Sequence, residues 1–106
     1  MLGGLASSAT AELGIASWYG EELAGKKMAN GRPFDPSKLT CAHWDHKFGT
    51  RLKVTNIANG KSVVVVCTDR GPHKGLRRAI DLSEAAFKRI APLKQGLTRV
   101  KVEIEK

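Results

Sequence analysis

Two aspartates stand in sequence settings that could support acid–base chemistry. Asp81 lies between Ile80 and Leu82, where burial is expected to raise the pKa of its carboxyl and keep part of it protonated near neutral pH. A protonated carboxyl is what a general acid for glycosidic cleavage requires. Asp69 follows an apolar run and precedes Arg70, whose charge could lower the pKa of that carboxyl. Both aspartates could also be structural, Asp69 by capping a turn and Asp81 by preceding a helix.

An adjacent pair of aromatic residues is a second candidate. Trp18 and Tyr19 lie in a segment predicted to be a strand, so their side chains point to opposite faces. One ring is then expected in the core and the other at the surface or in a groove, where it could stack on a sugar. The alternative is that both rings are partly buried core residues.

The remaining candidates are two cysteines and two histidines, namely Cys41, His43, His46 and Cys67. A disulfide between Cys41 and Cys67 would close a loop of about 25 residues and contribute roughly 3 kcal/mol. The same four residues have too unusual a spacing for a common zinc module, so no metal is expected. A Cys41 nucleophile with His43 as base, or two free buried thiols, are further alternatives. We favour the disulfide for an exported protein.

The elements that must position these residues are predominantly strands. Residues 51–57 and 61–68 flank Asn59 and Gly60, and an Asn-Gly turn between β-branched runs predicts a hairpin. As an extended strand, residues 62–67 carry apolar side chains on both faces, which predicts that the strand is buried on both sides. Residues 98–105 alternate apolar and charged side chains, as in a half-exposed strand.

One helix is predicted before the last strand. Ser83 is the expected N-cap, Glu84 lies in the first turn and Pro92 ends the helix. A second helical turn is predicted at Asp35 and Pro36, with the aspartate as cap. Several short strands with one or two short helices indicate a mainly β fold, a small closed barrel with a helix packed on it.

Length, composition and charge limit the function. The chain has 106 residues, 42% of them hydrophobic, and a net charge of +8. We predict one domain over residues 14–106, preceded over residues 1–13 by a flexible leader or the remnant of an export signal. One small core leaves no room for a separate cofactor domain, so no cofactor is expected. The longest apolar run, residues 63–66, is too short to span a membrane. The positive charge favours a polyanionic partner.

The motifs ASWYG, ANGRPFD, LTCAH, FGTRLKVTNIANGKSVVV, TDRGP and AIDLSEAAF occur in this order. Together they resemble the double-psi β-barrel domain of the rare lipoprotein A-like family, bacterial septal-ring lytic transglycosylases related to expansins. The resemblance covers residues 14–105 and implies a six-stranded double-psi β-barrel. It also implies endolytic cleavage of peptidoglycan glycan strands between N-acetylmuramic acid and N-acetylglucosamine, with 1,6-anhydro-muramoyl products and no cofactor.

We therefore expect an exported protein, periplasmic or associated with the cell wall, whose partner is the glycan strand. A nucleic-acid-binding barrel would leave both aspartate motifs without a purpose, so no nucleic acid is expected. A monomer is the expected state for a barrel of this size, and no transmembrane segment is predicted.

The resemblance implies a catalytic set and a substrate-binding set. Asp81 corresponds to the catalytic acid of related transglycosylases, and the other catalytic candidates are Asp69, His43 and Asp35. The substrate-binding candidates are Ser17, Trp18, Tyr19 and Arg70.

Two positions depart from the family pattern. Arg32 replaces the usual glutamate and Met28 the usual threonine. Loss of an acid supports an alternative function, that of a non-catalytic, expansin-like protein that binds and loosens wall polysaccharide. Cys41 and Cys67 also stand where the family usually has other residues, which suggests a subfamily-specific disulfide.

Overall fold

The computed structural model describes residues 11–106, which form six strands and one α-helix. The strands are β1 (Glu12–Tyr19), β2 (Thr40–Ala42), β3 (Arg51–Asn56), β4 (Ser62–Asp69), β5 (Ile80–Ser83) and β6 (Thr98–Ile104). The helix α1 is Glu84–Ile90, and single turns of 3-10 helix occupy Glu21–Leu23, Lys74–Leu76 and Leu93–Gln95.

The six strands close into a barrel in the order β1-β5-β2-β4-β3-β6. Two pairs are parallel, β1 with β5 and β2 with β4, and the remaining pairs are antiparallel. This arrangement confirms the predicted mainly β, six-stranded double-psi barrel with one short helix.

The barrel interior is filled by aliphatic side chains from the inward positions of the strands, and α1 packs against it. The fully buried aliphatic residues of the strands are Leu52, Val54, Val65, Ile80, Leu82, Val100 and Val102. Phe87 and Ile90 of α1 are also fully buried and join the same cluster. Burial of this apolar surface is the main favourable contribution to the fold.

The predicted hairpin is confirmed. Gly60 has φ +77° in the turn between β3 and β4, a conformation that glycine adopts without strain. The prediction that β4 is buried on both faces is wrong in part. Val63 and Val65 point inward and are buried, whereas Val64 and Val66 are half-buried, because the outer face of the barrel is only partly covered here.

The predicted helix is also confirmed. Ser83 is its N-cap and its hydroxyl accepts a hydrogen bond from the Ala86 N–H at 3.3 Å. The helix ends at Ile90, two residues before Pro92, whose ring cannot continue it.

The predicted second helical turn at Asp35 and Pro36 is wrong. The Asp35 carboxylate instead accepts hydrogen bonds from the N–H and the hydroxyl of Ser37, at 2.9 and 2.7 Å. This local bonding closes a non-helical turn, for which aspartate is well suited.

The first strand begins at Glu12, two residues before the predicted start of the domain. Glu12 and Leu13 pair with Val102 and Lys101 of β6, and these contacts hold the strand in place. Residues 1–10 of the predicted leader lie outside the described residues. Among the helices of residues 11–106, none is long and apolar enough to cross a membrane.

Candidate active site

A row of four residues crosses the outer face of the barrel. Ser17 on β1 is paired with Asp81 on β5, Asp81 with Ala42 on β2, and Ala42 with Asp69 on β4. Directly paired residues on neighbouring strands project to the same face of the sheet. The small side chain of Ala42 therefore lies between two carboxylates, and we refer to this row of Ser17, Asp81, Ala42 and Asp69 as the groove.

Asp81 occupies the centre of the groove. The Ser17 hydroxyl donates a hydrogen bond to its Oδ1. Burial raises the pKa of the Asp81 carboxyl, and the negative charge of Asp69 raises it further, while the Ser17 hydrogen bond and the charge of Arg78 act in the opposite direction. The direction of this shift agrees with the expectation from sequence, and it favours a protonated carboxyl.

This shift has a consequence for stability. Because the folded protein holds the Asp81 proton more tightly than the unfolded chain, the stability that this group contributes is present below its unfolded pKa of 3.8 and is lost as pH rises through its folded pKa. We expect Asp81→Asn to reduce the decline in unfolding free energy as the pH rises above 3.8. The variant should also be more stable than the wild type at neutral pH.

Urea unfolding over a pH series measures both effects. If Asp81→Asn were less stable at neutral pH, the hydrogen bond from Ser17 to the carboxylate would outweigh the cost of burying its charge.

Asp69 lies at the other side of Ala42 and is held by backbone groups. Its Oδ1 accepts hydrogen bonds from the N–H groups of Ala29 and Arg70, at 2.9 and 2.8 Å. Ala29 begins the Ala-Asn-Gly turn, so this loop holds the carboxylate in position over the groove.

Tyr19 lies beside both carboxylates. Its ring is 9% exposed and stacks on Phe34, with ring centroids 4.5 Å apart. Burial raises the pKa of the Tyr19 phenol strongly, and the charges of Asp69 and Asp81 raise it further. Within the described residues its buried hydroxyl has no hydrogen-bond partner. An unsatisfied buried donor next to two carboxylates is an unusual and costly arrangement.

His43 is buried and lies one residue beyond Ala42, but its ring is directed away from Asp81. Its Nδ1 accepts a hydrogen bond from the Asp45 N–H at 3.0 Å, so the proton of a neutral ring is on Nε2. Nε2 lies 2.8 Å from a carboxylate oxygen of Glu12. Both ring nitrogens are therefore engaged, and His43 is placed to position the loop, since its backbone N–H also donates to the Asp69 carbonyl.

Arg70 was predicted to bind substrate, but its guanidinium is occupied within the protein. It donates hydrogen bonds to the carbonyl oxygens of His43 and His46, at 2.9 and 2.8 Å, and stacks on Phe48 at 4.1 Å from the ring centroid. The prediction of a substrate contact is therefore not supported by its position, and Arg70 instead orders the loop over residues 43–48.

Two other predicted residues lie outside the groove. Trp18 points to the opposite face of β1, where it packs against Phe87 and donates its indole N–H to the Leu93 carbonyl at 3.0 Å.

Asp35 is exposed and lines a separate cleft together with Glu21, Glu84 and other residues. Hydrogen bonds from Ser37 lower the pKa of the Asp35 carboxyl, which is therefore ionised at neutral pH and unsuited to act as an acid.

Cys41 and Cys67 are both free thiols, so the predicted disulfide is wrong for this structure. The two residues are directly paired on the parallel strands β2 and β4. A hydrogen bond from the Cys41 thiol and the nearby Arg70 charge lower the pKa of Cys67. Both side chains are fully buried; Cys41 packs in the barrel core as a small apolar group, whereas the Cys67 Sγ accepts a hydrogen bond from Arg70 Nη1 at 3.6 Å.

Sequence reasoning missed three residues around the groove. Glu12 was assigned to the leader, although it holds His43. A Cβ on Gly71 would lie 3.3 Å from the Ala42 Cβ and 3.6 Å from the Asp81 Oδ2, so only glycine leaves this side of the groove open. Trp44 is 42% exposed beside the groove. Its position next to the LTCAH motif was the available signal.

In the described part of the chain, no group of three or more His, Cys, Asp or Glu residues is arranged to hold a metal ion.

The closed barrel and the row of Ser17, Asp81 and Asp69 define a double-psi β-barrel protein with a carboxylate-lined groove. The family model described as "Lytic transglycolase" matches residues 11–102, and the chain belongs to this family.

Curated relatives carry names that agree with this family. The chain is 50% identical over 91 residues to the probable endolytic peptidoglycan transglycosylase RlpA of Synechocystis sp., and the match covers 86% of this chain and 28% of that protein. It is 46% identical over 95 residues to endolytic peptidoglycan transglycosylase RlpA of Rickettsia felis, covering 87% and 41%. It is 45% identical over 91 residues to endolytic peptidoglycan transglycosylase RlpA of Pseudomonas aeruginosa, and this match covers 86% of this chain and 26% of that protein. The chain thus spans only 26% to 41% of the length of these relatives.

Solved structures show the same fold. Streptomyces papain inhibitor superposes with a TM-score of 0.73 at 25% identity, over 91% of this chain and 94% of the inhibitor. An expansin of Clavibacter michiganensis in complex with cellohexaose superposes with a TM-score of 0.68 at 20% identity, over 91% of this chain and 50% of the expansin.

Proposed function

We propose that the protein is an endolytic peptidoglycan lytic transglycosylase that cuts glycan strands between N-acetylmuramic acid and N-acetylglucosamine. The observation that carries the proposal is the Asp81 carboxyl at the centre of the groove, whose pKa burial raises. Membership of the lytic transglycolase family and the names of its relatives support the same reaction.

In the proposed reaction, Asp81 gives its proton to the bridging oxygen as the bond from that oxygen to C1 of the muramoyl residue breaks. The 6-hydroxyl of the same sugar attacks C1 and closes the 1,6-anhydro ring. The Asp81 carboxylate then accepts the proton of that hydroxyl, which restores the acid. No water is consumed and no second nucleophile is required, because the attacking group belongs to the substrate.

The neighbouring groups have supporting roles in this proposal. Ser17 orients the Asp81 carboxyl through its hydrogen bond. Asp69 raises the pKa of that carboxyl through its charge and offers an acceptor for sugar hydroxyls. A contact between Tyr19 and the substrate requires its buried hydroxyl to become accessible when the glycan strand binds. His43, with Glu12, is a positioning residue that holds the loop beside Asp69.

The test is incubation of the protein with intact and peptide-stripped peptidoglycan, followed by mass spectrometry of the soluble products. A lytic transglycosylase releases anhydro-muramoyl ends, which are lighter by one water than the reducing ends left by a hydrolase. Reducing ends as the main product would reject the transglycosylase reaction, and no soluble product would reject catalysis.

We expect Tyr19→Phe to lower activity without lowering stability. The lost hydroxyl has no partner among the described residues, so its removal should leave the unfolding free energy unchanged or raise it by up to about 1 kcal/mol. Turnover should fall about tenfold if the hydroxyl contacts the substrate in the transition state.

Thermal unfolding and initial rates on glycan strands measure the two effects of Tyr19→Phe. A destabilised variant would show that the phenol hydroxyl has a structural partner, and an unchanged rate would remove Tyr19 from the substrate-contacting set.

An expansin-like protein that binds wall polysaccharide without cutting it is the second candidate. The Arg32 side chain is exposed in the Ala-Asn-Gly loop, which holds Asp69, so a cation replaces the family's acid near the groove. Met28 is buried against Tyr19 and Phe34 and replaces the threonine by an apolar contact. Binding to peptidoglycan without soluble products would favour this candidate.

We further propose that the protein acts outside the cytoplasm, in the periplasm or at the cell wall, where peptidoglycan is found. Its proposed partner is the glycan strand, which it binds as a monomer without a cofactor. The net charge of +8 favours association with anionic wall polymers.

A further inference from the structure

An exposed tryptophan stands at the rim of the groove. Trp44 follows Ala42 of the groove by two residues and is 42% exposed. Its indole N–H donates a hydrogen bond to the Pro72 carbonyl at 2.5 Å. The preceding residue, Gly71, borders Asp81. The ring is therefore anchored to the loop that forms one side of the groove.

A cation lies over this ring. The Lys74 ammonium is 4.7 Å from the centroid of the Trp44 ring, and the Lys74 side chain is exposed. Arg78, further along the same loop, is close enough to Asp81 for its charge to lower the pKa of that carboxyl. An aromatic face and two positive charges thus occupy one side of the groove.

The other aromatic rings near the groove cannot take this place. Tyr19 is stacked on Phe34 and Trp18 faces away from the groove. The Phe48 ring is stacked on the Arg70 guanidinium, which hydrogen bonds to the His43 and His46 carbonyls hold in place. Trp44 is the large aromatic side chain beside the groove that combines exposure with a fixed orientation, and a rigid platform loses little entropy on binding.

We propose that Trp44 and Lys74 form a subsite for an acidic amino sugar. The indole face stacks on the sugar ring and the ammonium pairs with a carboxylate carried by the same sugar. This inference rests on the proposed function, since it takes a glycan strand as the ligand of the groove, and it assigns the strand's lactyl carboxylate to Lys74.

The chemistry of each group matches this ligand. The face of an aromatic ring carries partial negative charge, which attracts the C–H bonds on the apolar face of a pyranose. An exposed cation–π contact is weak, so the Lys74 ammonium can move to a carboxylate while the ring contacts the sugar. Such a site distinguishes muramoyl residues from neutral amino sugars by charge.

Binding without cleavage tests the subsite. In the Asp81→Asn background, affinities are measured by calorimetry for peptide-free glycan strands, which carry lactyl carboxylates, and for chitooligosaccharides of equal length, which do not. Lys74→Gln should weaken binding of the glycan strands about threefold to fivefold at low salt and leave the neutral ligand unaffected. Trp44→Ala should weaken binding of both ligands about tenfold.

Two further variants separate stacking from folding. Trp44→Phe keeps an aromatic face but loses the hydrogen bond to Pro72, and it should retain most of the affinity. Ile57→Ala removes a side chain that is 53% exposed on the β3–β4 hairpin, and it should bind as the background does.

The proposal is overturned if Trp44→Ala binds like Ile57→Ala, if Trp44→Phe loses as much affinity as Trp44→Ala, or if Lys74→Gln affects both ligands equally. It is also overturned if the background protein binds neither ligand. Because no step of this experiment requires turnover, a failure of the wild type to release anhydro products rejects the proposed function separately.

Discussion

Asp81→Asn is expected to lower the rate of release of anhydro-muramoyl products by at least about a hundredfold, because general acid catalysis contributes roughly 10²–10⁴-fold. The asparagine oxygen can still accept the hydrogen bond from Ser17, so the groove keeps its shape. The amide cannot give a proton to the bridging oxygen. Initial rates on peptide-free glycan strands, with products separated by chromatography, measure the effect.

A matched control for this substitution is Glu103→Gln. Glu103 lies on β6 and forms a surface ion pair with Lys101 at 3.5 Å, a contact that contributes little to stability. This variant should cut at the wild-type rate. If Asp81→Asn also cut within about threefold of the wild type, another group would have to be the acid.

The largest expected loss of stability follows from Phe87→Ala, at about 3–5 kcal/mol. Phe87 is fully buried where α1 meets the barrel, and its ring centroid is 6.4 Å from that of Trp18. Truncation leaves a cavity that the closed barrel cannot easily collapse to fill. Each kcal/mol lowers the melting temperature of a domain this size by roughly 4–8 °C.

Urea unfolding of Phe87→Ala and Phe48→Ala provides the comparison. Phe48 is 41% exposed and stacks on Arg70, so its truncation should cost less than about 1 kcal/mol. An equal loss in the two variants would show that α1 is not held to the barrel through Phe87.

Elements with local signals were predictable from sequence. The Asn-Gly turn predicted the hairpin of β3 and β4, and Ser83 with Pro92 predicted the limits of α1. Asp35 shows the limit of such signals, because an aspartate before a proline can begin a helix or close a turn. In this protein the hydrogen bonds that Ser37 donates to the Asp35 carboxylate stabilise the turn.

The candidate site depends on pairings that no local pattern reveals. Ser17 and Asp81 are 64 residues apart and meet only through the parallel pairing of β1 with β5. The resemblance brought them together as members of one site, but their direct hydrogen bond was evident only from the structure. Strand alternation correctly placed Trp18 and Tyr19 on opposite faces.

Charge patterns in the sequence were less informative than strand patterns. Arg70 was expected to act on the carboxylate beside it, yet its guanidinium reaches the carbonyls of His43 and His46. A long flexible side chain has many partners within reach, and tertiary packing selects among them. Cys41 and Cys67 were expected to form a disulfide; they are neighbours on paired strands, but pairing across strands does not by itself form that bond.

The closure of the barrel also limits how this domain associates with other molecules. Each strand of the described barrel has a hydrogen-bonded neighbour on both sides. No strand among residues 11–106 therefore presents a free edge along its whole length to which a second copy or an extended peptide could add a strand. Aggregation through strand addition is disfavoured, and the proposed binding of glycan strands relies on side chains on the barrel surface.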